Sequence, residues 1–251
     1  MIDLQNISYS YPGSRTAALR GVSFQLAPGE KIALMGANGS GKTTLVRCIN
    51  RLLKPSGTGS VDGYALDREE DLWEIRRRVG MVFQNPDNQI VATTVVREIA
   101  FGLENLGLGQ AVMKERVESA LEKFHLQSLR ETSPHLLSGG ERQRLACASV
   151  WVMDPRYLIL DEPTSLLDPQ GREEIMVFID QARHESNAGV LIVTQYPEEA
   201  LDADRLLIMH AGRLIMDDLP AHVFSHERKL KSMGLGLPVE VELDRLLGST
   251  M

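Results

Sequence analysis

The sequence predicts an α/β fold in which helices cover a parallel sheet, with an added antiparallel β-subdomain and an α-helical subdomain. Three observations lead to this prediction. Short apolar runs alternate with helical patterns, strand-like pieces lie between Gly and Pro turns near the N-terminus, and the stretch after residue 86 has helical periodicity only.

The apolar runs cover residues 30–35, 79–84, 157–161 and 189–194, and each is rich in aliphatic residues. Strands that do not alternate polar and apolar residues are usually buried on both faces, as in a parallel sheet between helices. Short strands are also predicted at the end of this series, at 205–209 and 212–217.

The strand-like pieces at 2–9, 22–26 and 59–62 predict an additional antiparallel sheet. In the stretch that follows residue 86, Val117, Ala120, Leu121 and Phe124 have the i, i+3, i+4, i+7 spacing of an amphipathic helix. We therefore divide the chain into three parts. These are a core of residues 1–85 and 155–217, a helical subdomain of residues 86–154, and a C-terminal extension of residues 218–251.

The composition argues against several classes of protein. The net charge is -7 and the 27 basic residues are dispersed, so a nucleic-acid partner, which selects clustered Lys and Arg, is not expected. The apolar runs are far shorter than the roughly 20 residues of a membrane helix, and the N-terminus does not resemble a signal peptide. Cys48 and Cys147 have no metal-ligand spacing and fit a reducing compartment. These features predict a cytoplasmic protein.

The segment GANGSGKT at 36–43 predicts a phosphate-binding loop, because it satisfies G-x-x-x-x-G-K-[ST] between a strand and a helix. Glycines let successive backbone N–H groups point toward an anion, and the helix N-terminus adds partial positive charge. Lys42 would reach the terminal phosphates of a nucleotide triphosphate, and Thr43 would ligate Mg²⁺. The alternative, a glycine-rich turn, gives no reason for a Lys followed by a Thr.

Asp161 and Glu162 follow directly on an apolar run, which places them at the carboxyl edge of the sheet, where open α/β folds bind ligands. Adjacent strand residues point in opposite directions. We therefore expect Asp161 to hold Mg²⁺ through water and Glu162 to face the attacking water as a general base. Taken in isolation, such an acidic pair is commonly only a strand end.

A second helix start that attracts anions is predicted at Ser138, Gly139 and Gly140. Ser138 can cap the helix, and the glycines expose backbone N–H groups. Only the first helix start has the Lys and the Mg²⁺ ligand. The second one therefore either completes the nucleotide site of another copy or is an ordinary helix cap.

Three motifs in this order and spacing, GANGSGKT, LSGGERQR and YLILDEPTSLLDP, resemble the ATP-binding cassette ATPases over nearly the whole chain. The resemblance implies a P-loop NTPase core of the RecA-like type, with ATP and Mg²⁺ as cofactors. The segments GMVFQNPDNQIV at 80–91 and FGLEN at 101–105 further resemble the ATPase subunits of energy-coupling-factor transporters, which are vitamin importers related to cobalt and nickel uptake systems.

The resemblance implies that two ATPase subunits pair head to tail, with ATP between residues 36–44 of one chain and residues 138–141 of the other. Tyr11 matches the aromatic residue that stacks on adenine, Gln84 matches the Q-loop residue, and Asp168 matches the loop that crosses to the partner's site. Without the resemblance, Tyr11 would be interpreted as an aromatic residue at a strand end, Gln84 as a solvated amide and Asp168 as a helix cap. The resemblance assigns three sets of residues. Those that would bind ATP are Tyr11, Gly36, Asn38, Gly39, Ser40, Gly41, Lys42, Thr43, Thr44, Ser138, Gly139, Gly140, Glu141 and Asp168. Those that would bind Mg²⁺ are Thr43, Gln84 and Asp161, and those that would take part in catalysis are Glu162, Gln84 and Gln195.

Two residues depart from the family's pattern. Gln195 stands where the family usually has the switch His, and an amide can donate a hydrogen bond to a γ-phosphate but cannot gain a proton. Glu141 replaces the usual last Gln of the signature and adds an anion near an expected phosphate, which the neighbouring Arg142 or Arg144 would offset. We expect hydrolysis to survive because Glu162 is retained.

The resemblance implies an ATP hydrolase that energises a membrane importer of the energy-coupling-factor type, for vitamin or cobalt and nickel uptake, through ATP-driven closure of a dimer. The expected partners are a second ATPase subunit, identical or paralogous, and integral-membrane subunits that enter a groove near residues 84–91. The transported substrate would not be bound directly. The chain would lie at the cytoplasmic face of the cell membrane.

Two other functions and two roles for the tail stay open. The chain could be a soluble ATPase of the same fold that serves DNA maintenance or translation, or a structural subunit that binds ATP with little turnover. The segment after residue 218 would pack on its own domain or, as in the resembled family, assist the pairing of subunits.

Overall fold

The computed structural model describes residues 1–248. Ten strands and nine helices are formed by these residues, and short turns of 3-10 helix lie between some of them. In chain order they are β1 Ile2–Tyr9, β2 Leu19–Leu26, β3 Lys31–Met35, α1 Lys42–Ile49, β4 Ser56–Val61, β5 Tyr64–Ala65, α2 Leu72–Arg78, β6 Val79–Val82, α3 Val95–Glu104, α4 Gln110–Lys123, α5 Gly139–Trp151, β7 Tyr157–Asp161, α6 Pro169–Ser186, β8 Gly189–Val193, β9 Arg205–His210, β10 Arg213–Asp218, α7 Pro220–Ser225, α8 Glu227–Ser232 and α9 Val239–Gly248.

The central sheet has six strands in the order β10-β9-β3-β8-β7-β6. All neighbours are parallel except β10, which pairs antiparallel with β9 at one edge. Every residue of β3, β6, β7 and β8 is buried, as expected for strands covered on both faces. The predicted α/β fold is confirmed. The register pairs Val193 with both Leu34 and Asp161, so the carboxyl ends of β3, β7 and β8 lie side by side.

The second sheet is antiparallel, as the sequence predicts, and its strand order is β2-β1-β4-β5. Its strand β4 begins at Ser56, three residues before the predicted start, because pairing with β1 overrides the low strand propensity of Gly57 and Gly59. Helix α1 packs between the two sheets through Leu45, Val46, Cys48 and Ile49. The helix that begins at the phosphate loop is thus held on both sides by the core.

Helices α3, α4 and α5 lie between β6 and β7 in the chain and pack around a shared apolar cluster. This cluster continues onto α6 and one face of the central sheet through Phe178, Leu158 and Ile192. Helical structure after residue 86 agrees with the periodicity of the sequence. The boundaries at 85/86 and 154/155 stay predictions.

The segment after β10 packs on the chain's own central sheet, which was one of two expectations for it. Val223, Phe224, Leu235 and Leu237 are buried against a cluster that includes Met35 of β3. The last three residues of the predicted C-terminal extension, 249–251, lie outside the described residues. Within residues 1–248, no helix has both the length and the apolar character needed to cross a membrane.

Candidate functional site

The phosphate loop joins β3 to α1, and close packing makes glycine necessary at two of its positions. A Cβ atom at Gly36 would lie 2.4 Å from the Met209 carbonyl oxygen. Gly41 has a φ of 106°, and a Cβ there would lie 2.6 Å from the Ala18 carbonyl oxygen. A side chain at either position would push the loop away from its backbone neighbours.

The Lys42 ammonium lies inside the phosphate loop, and the side chain is only 5% exposed. Its Nζ donates hydrogen bonds to the carbonyl oxygens of Gly36 at 2.6 Å and Ala37 at 3.3 Å. Burial lowers the pKa of Lys42, while the Glu162 and Asp161 carboxylates act in the opposite direction. A polyanion at this place would add negative charge beside the ammonium and favour its charged form.

One buried hydroxyl group and one accessible aromatic ring of the loop region are suited to a ligand. The Ser40 Oγ is buried and has no hydrogen-bond partner among the described residues. Such an unsatisfied group costs free energy unless a ligand or water binds it. The Tyr11 hydroxyl lies 3.1 Å from the Thr44 Oγ1, which places this aromatic ring beside the start of α1. Tyr11 is 39% exposed, so its ring is accessible to a ligand.

Asp161 is buried at the carboxyl end of β7 and accepts a hydrogen bond from the Thr43 Oγ1 at 3.2 Å. Burial raises the pKa of Asp161, and the Glu162 carboxylate adds to this effect. The hydrogen bond from Thr43 and the charges of Arg47 and Lys42 lower it. Because a cation would stabilise the ionised form of this carboxylate, the adjoining oxygen atoms of Thr43 and Asp161 fit Mg²⁺.

Glu162 is held by the ends of two neighbouring strands and by two side-chain amides. Its N–H donates to the Val193 carbonyl at 3.0 Å, and its φ of 51° turns the chain out of the strand. Gln84 and Gln195 each donate from Nε2 to the carboxylate at 2.8 Å. Gln195 Nε2 also lies 3.2 Å from the Asn38 Oδ1, which connects this cluster to the phosphate loop.

The second predicted anion site begins helix α5 and contains a capping box. The Glu141 carboxylate accepts from the Ser138 N–H at 2.7 Å, and the Ser138 Oγ accepts from the Glu141 N–H at 3.3 Å. These hydrogen bonds, and the charge of Arg144, lower the pKa of Glu141. Arg142 instead donates to the Leu137 carbonyl, so the structure supports only Arg144 as an offsetting charge.

The structure does not bring every predicted residue together within one chain. Among residues 1–248, no hydrogen bond or ion pair joins Ser138 or the next three residues to the phosphate loop. Asp168 caps α6 by accepting from the Gly171 N–H at 2.8 Å, as the simpler of its two interpretations predicts. One further carboxylate, Glu199, lies on the loop that carries Gln195 and contacts Thr164 on the loop that carries Glu162, and no motif in the sequence indicates it.

Comparisons with known proteins point to one family, and similar relatives are named for energy coupling and for cobalt import. The family model described as "ABC transporter" matches residues 19–165. The "Energy-coupling factor transporter ATP-binding protein EcfA1" of Clostridium perfringens is 42% identical over 248 residues, which is 97% of this chain and 88% of that protein. The "Cobalt import ATP-binding protein CbiO" of Syntrophus aciditrophicus is 46% identical over 244 residues, with 97% and 87% covered.

A solved structure supports the same relationship at the level of the fold. The structure of cbiO1 from Clostridium perfringens, described as part of the ABC transporter complex cbiONQ, superimposes with a TM-score of 0.80. It is 33% identical, and the match covers 98% of this chain and 96% of that chain.

Proposed function

This chain belongs to the ABC transporter family, and on that premise we propose that it is the ATP-hydrolysing subunit of an importer of the energy-coupling-factor type. The observation that carries the proposal is the cluster in which Glu162, Gln84 and Gln195 meet beside the phosphate loop. The relatives named for energy coupling and cobalt import match nearly the whole chain, which favours a transport role over DNA maintenance or translation.

In the proposed reaction the phosphate loop binds the triphosphate of ATP, and Lys42 exchanges its carbonyl partners for phosphate oxygens. Glu162 takes a proton from the attacking water, since it is the carboxylate that two amides hold at the end of the strands. Gln195 donates to Glu162 and to Asn38, and its amide would donate to the γ-phosphate by giving up the longer hydrogen bond to Asn38. Tyr11 would stack on the adenine ring.

Thr43, Asp161 and Gln84 would hold Mg²⁺, which when bound neutralises charge on the β- and γ-phosphates. Thr43 and Asp161 already share a hydrogen bond, so their oxygens converge on one place. The Gln84 amide donates to Glu162 through nitrogen, and this leaves its oxygen as the donor for a cation.

The second anion site suggests that hydrolysis requires a pair of subunits. The N–H groups of Gly139 and Gly140 and the hydroxyl of Ser138 form a helix start that lacks a lysine or a metal ligand of its own. We propose that this start contacts the γ-phosphate bound to a second ATPase subunit, while the Asp168 loop crosses to the same site. ATP then favours the closed pair, and loss of phosphate releases it.

A groove between the core and the helical part is the proposed docking surface for a transmembrane subunit. Its wall has large exposed apolar side chains, with Trp73 55% and Phe101 50% exposed. Its floor includes Gln89, whose Nε2 donates to the Ala146 carbonyl of α5 at 2.8 Å. A helix of the membrane partner seated here would press on the segment that begins at Gln84. The chain would then lie at the cytoplasmic face of the membrane.

We expect Phe101→Asp to remove the chain from its membrane complex and to leave its ATP turnover unchanged. A charge in the centre of an apolar contact costs about 2 kcal/mol or more, which is roughly a 30-fold loss of binding. The measurement is the amount of integral-membrane subunit that purifies with the tagged full-length chain from its native membranes. Val177→Asp is the matched control, because Val177 is also 50% exposed but lies on α6. Equal recovery with both variants would contradict the groove assignment.

We expect the wild-type chain to hydrolyse ATP with glutamine at position 195, and Gln195→Ala to lower kcat by about 10- to 100-fold. The reason is the loss of one donor placed between Glu162 and the phosphate. Gln195→His should retain turnover and add a pH dependence near the usual His pKa of about 6.5, which the wild type lacks. Phosphate release measured from pH 5.5 to 8.5 tests this. A wild type without turnover that Gln195→His rescues would instead support an ATP-gated structural subunit.

A further inference from the structure

The carboxylate of Glu199 joins the loop after β7 to the loop after β8. Its Oε1 accepts a hydrogen bond from the Thr164 Oγ1 and its Oε2 accepts one from the Thr194 Oγ1, both at 2.5 Å. Both threonines are only 1% exposed, so these hydrogen bonds are largely shielded from bulk solvent. Thr164 lies two residues after Glu162, and Thr194 lies directly before Gln195.

The position of Glu199 matters because the two loops begin where the hydrogen bonds between the strands end. The sheet therefore no longer fixes the distance between the loops. The last ladder pair is Asp161 with Val193, and the Glu162 N–H makes one more hydrogen bond, to the Val193 carbonyl. Beyond it, among the described residues, only side chains link the two loops by hydrogen bonds. Gln195 donates to Glu162 directly, and Glu199 connects the residues next to them.

We propose that Glu199 is a positioning residue for hydrolysis, which fixes the distance between the Gln195 amide and the Glu162 carboxylate. This inference rests on the proposed ATP hydrolysis. A glutamate side chain suits the task because it has one oxygen for each of the two hydroxyl groups. The Thr194 hydroxyl accepts from the Tyr196 N–H at 3.0 Å and donates its own hydrogen to Glu199.

The test is a double-mutant cycle in the full-length chain at saturating Mg-ATP. We expect Glu199→Ala to lower kcat by about 10-fold, because a small misplacement of catalytic groups is costly, and to change KM by less than about twofold. In the Gln195→Ala background the same substitution should lower kcat by less than about twofold, because the contact that it positions is already absent. An equal loss in both backgrounds would overturn the proposal, since Glu199 would then act independently of Gln195.

Three further variants separate positioning from general damage to the fold. Glu198→Ala removes the neighbouring exposed carboxylate, which contacts the Val239 N–H at 3.4 Å, and should leave kcat unchanged. A loss equal to that of Glu199→Ala would assign the effect to the turn and overturn the proposal. If Glu199→Ala does not fold, Thr164→Val removes one link with little change in volume. It should lower kcat by about threefold or more, and Thr164→Ser should restore it.

The outcomes also separate this inference from the proposed function. A wild-type chain that releases no phosphate under any of these conditions overturns both. A wild-type chain that hydrolyses ATP, with Thr164→Val or Glu199→Ala as active as the wild type, overturns only the role of Glu199.

Discussion

Lys42→Ala is expected to lower kcat/KM for ATP by at least about 1000-fold and to weaken ATP binding to the limit of detection. The Lys42 ammonium is the buried cation of the phosphate loop, and it makes hydrogen bonds that phosphate oxygens can take over. A hydrogen bond to a charged group contributes about 1.5–3 kcal/mol, and the charge that develops on the transferred phosphate adds to the loss. Calorimetry with ATP and a phosphate-release assay measure the two effects.

The control for this variant is Lys54→Ala, because Lys54 is an exposed lysine whose nearest acidic partner, Glu69, lies 3.5 Å away. It should bind and hydrolyse ATP as the wild type does. Lys42→Met keeps most of the length of the side chain without its charge. Thermal unfolding of this variant shows whether the chain stays folded without the charge. If Lys42→Ala binds and hydrolyses ATP normally, the phosphate-loop assignment is wrong.

Glu162→Gln is expected to lower turnover by about 1000-fold and to convert the ATP-bound chain into a stable dimer. The glutamine amide still fills the space between Gln84 and Gln195 but cannot take a proton from water. ATP would therefore bind and close the pair of subunits, and because it is not hydrolysed, the pair would stay closed. Light scattering of the full-length variant in saturating Mg-ATP measures the mass, and phosphate release measures the turnover.

A second substitution tests whether the signature of the partner subunit forms this dimer. A Cβ at Gly140 would meet nothing closer than 3.6 Å, so Gly140→Asp should fold. An aspartate in the first turn of α5 is also favourable for the helix, yet it would repel a γ-phosphate brought by the second subunit. Glu162→Gln with Gly140→Asp should therefore remain monomeric. Monomers in the single variant would contradict pairing of identical chains and favour a paralogous partner.

The strands show how far the sequence predicts the fold. The four buried parallel strands were identifiable because burial on both faces leaves a continuous apolar run. The start of β2 was missed, since Leu19 is three residues before the predicted position and pairs with Tyr9 across an irregular register. Such boundaries depend on long-range pairing, which local propensity does not contain.

Within the candidate site, the residue pattern predicts the parts that are continuous in the chain. The phosphate loop, the acidic pair at 161–162 and the capped start of α5 each need only a strand, a turn or a helix at a known spacing. The contacts of the Gln84 and Gln195 amides with the Glu162 carboxylate, and those of Glu199 with Thr164 and Thr194, depend on the folded chain, because parallel strands place distant loops at one edge of the sheet. Hydrogen bonds between loops so far apart in sequence exist only after the sheet has formed.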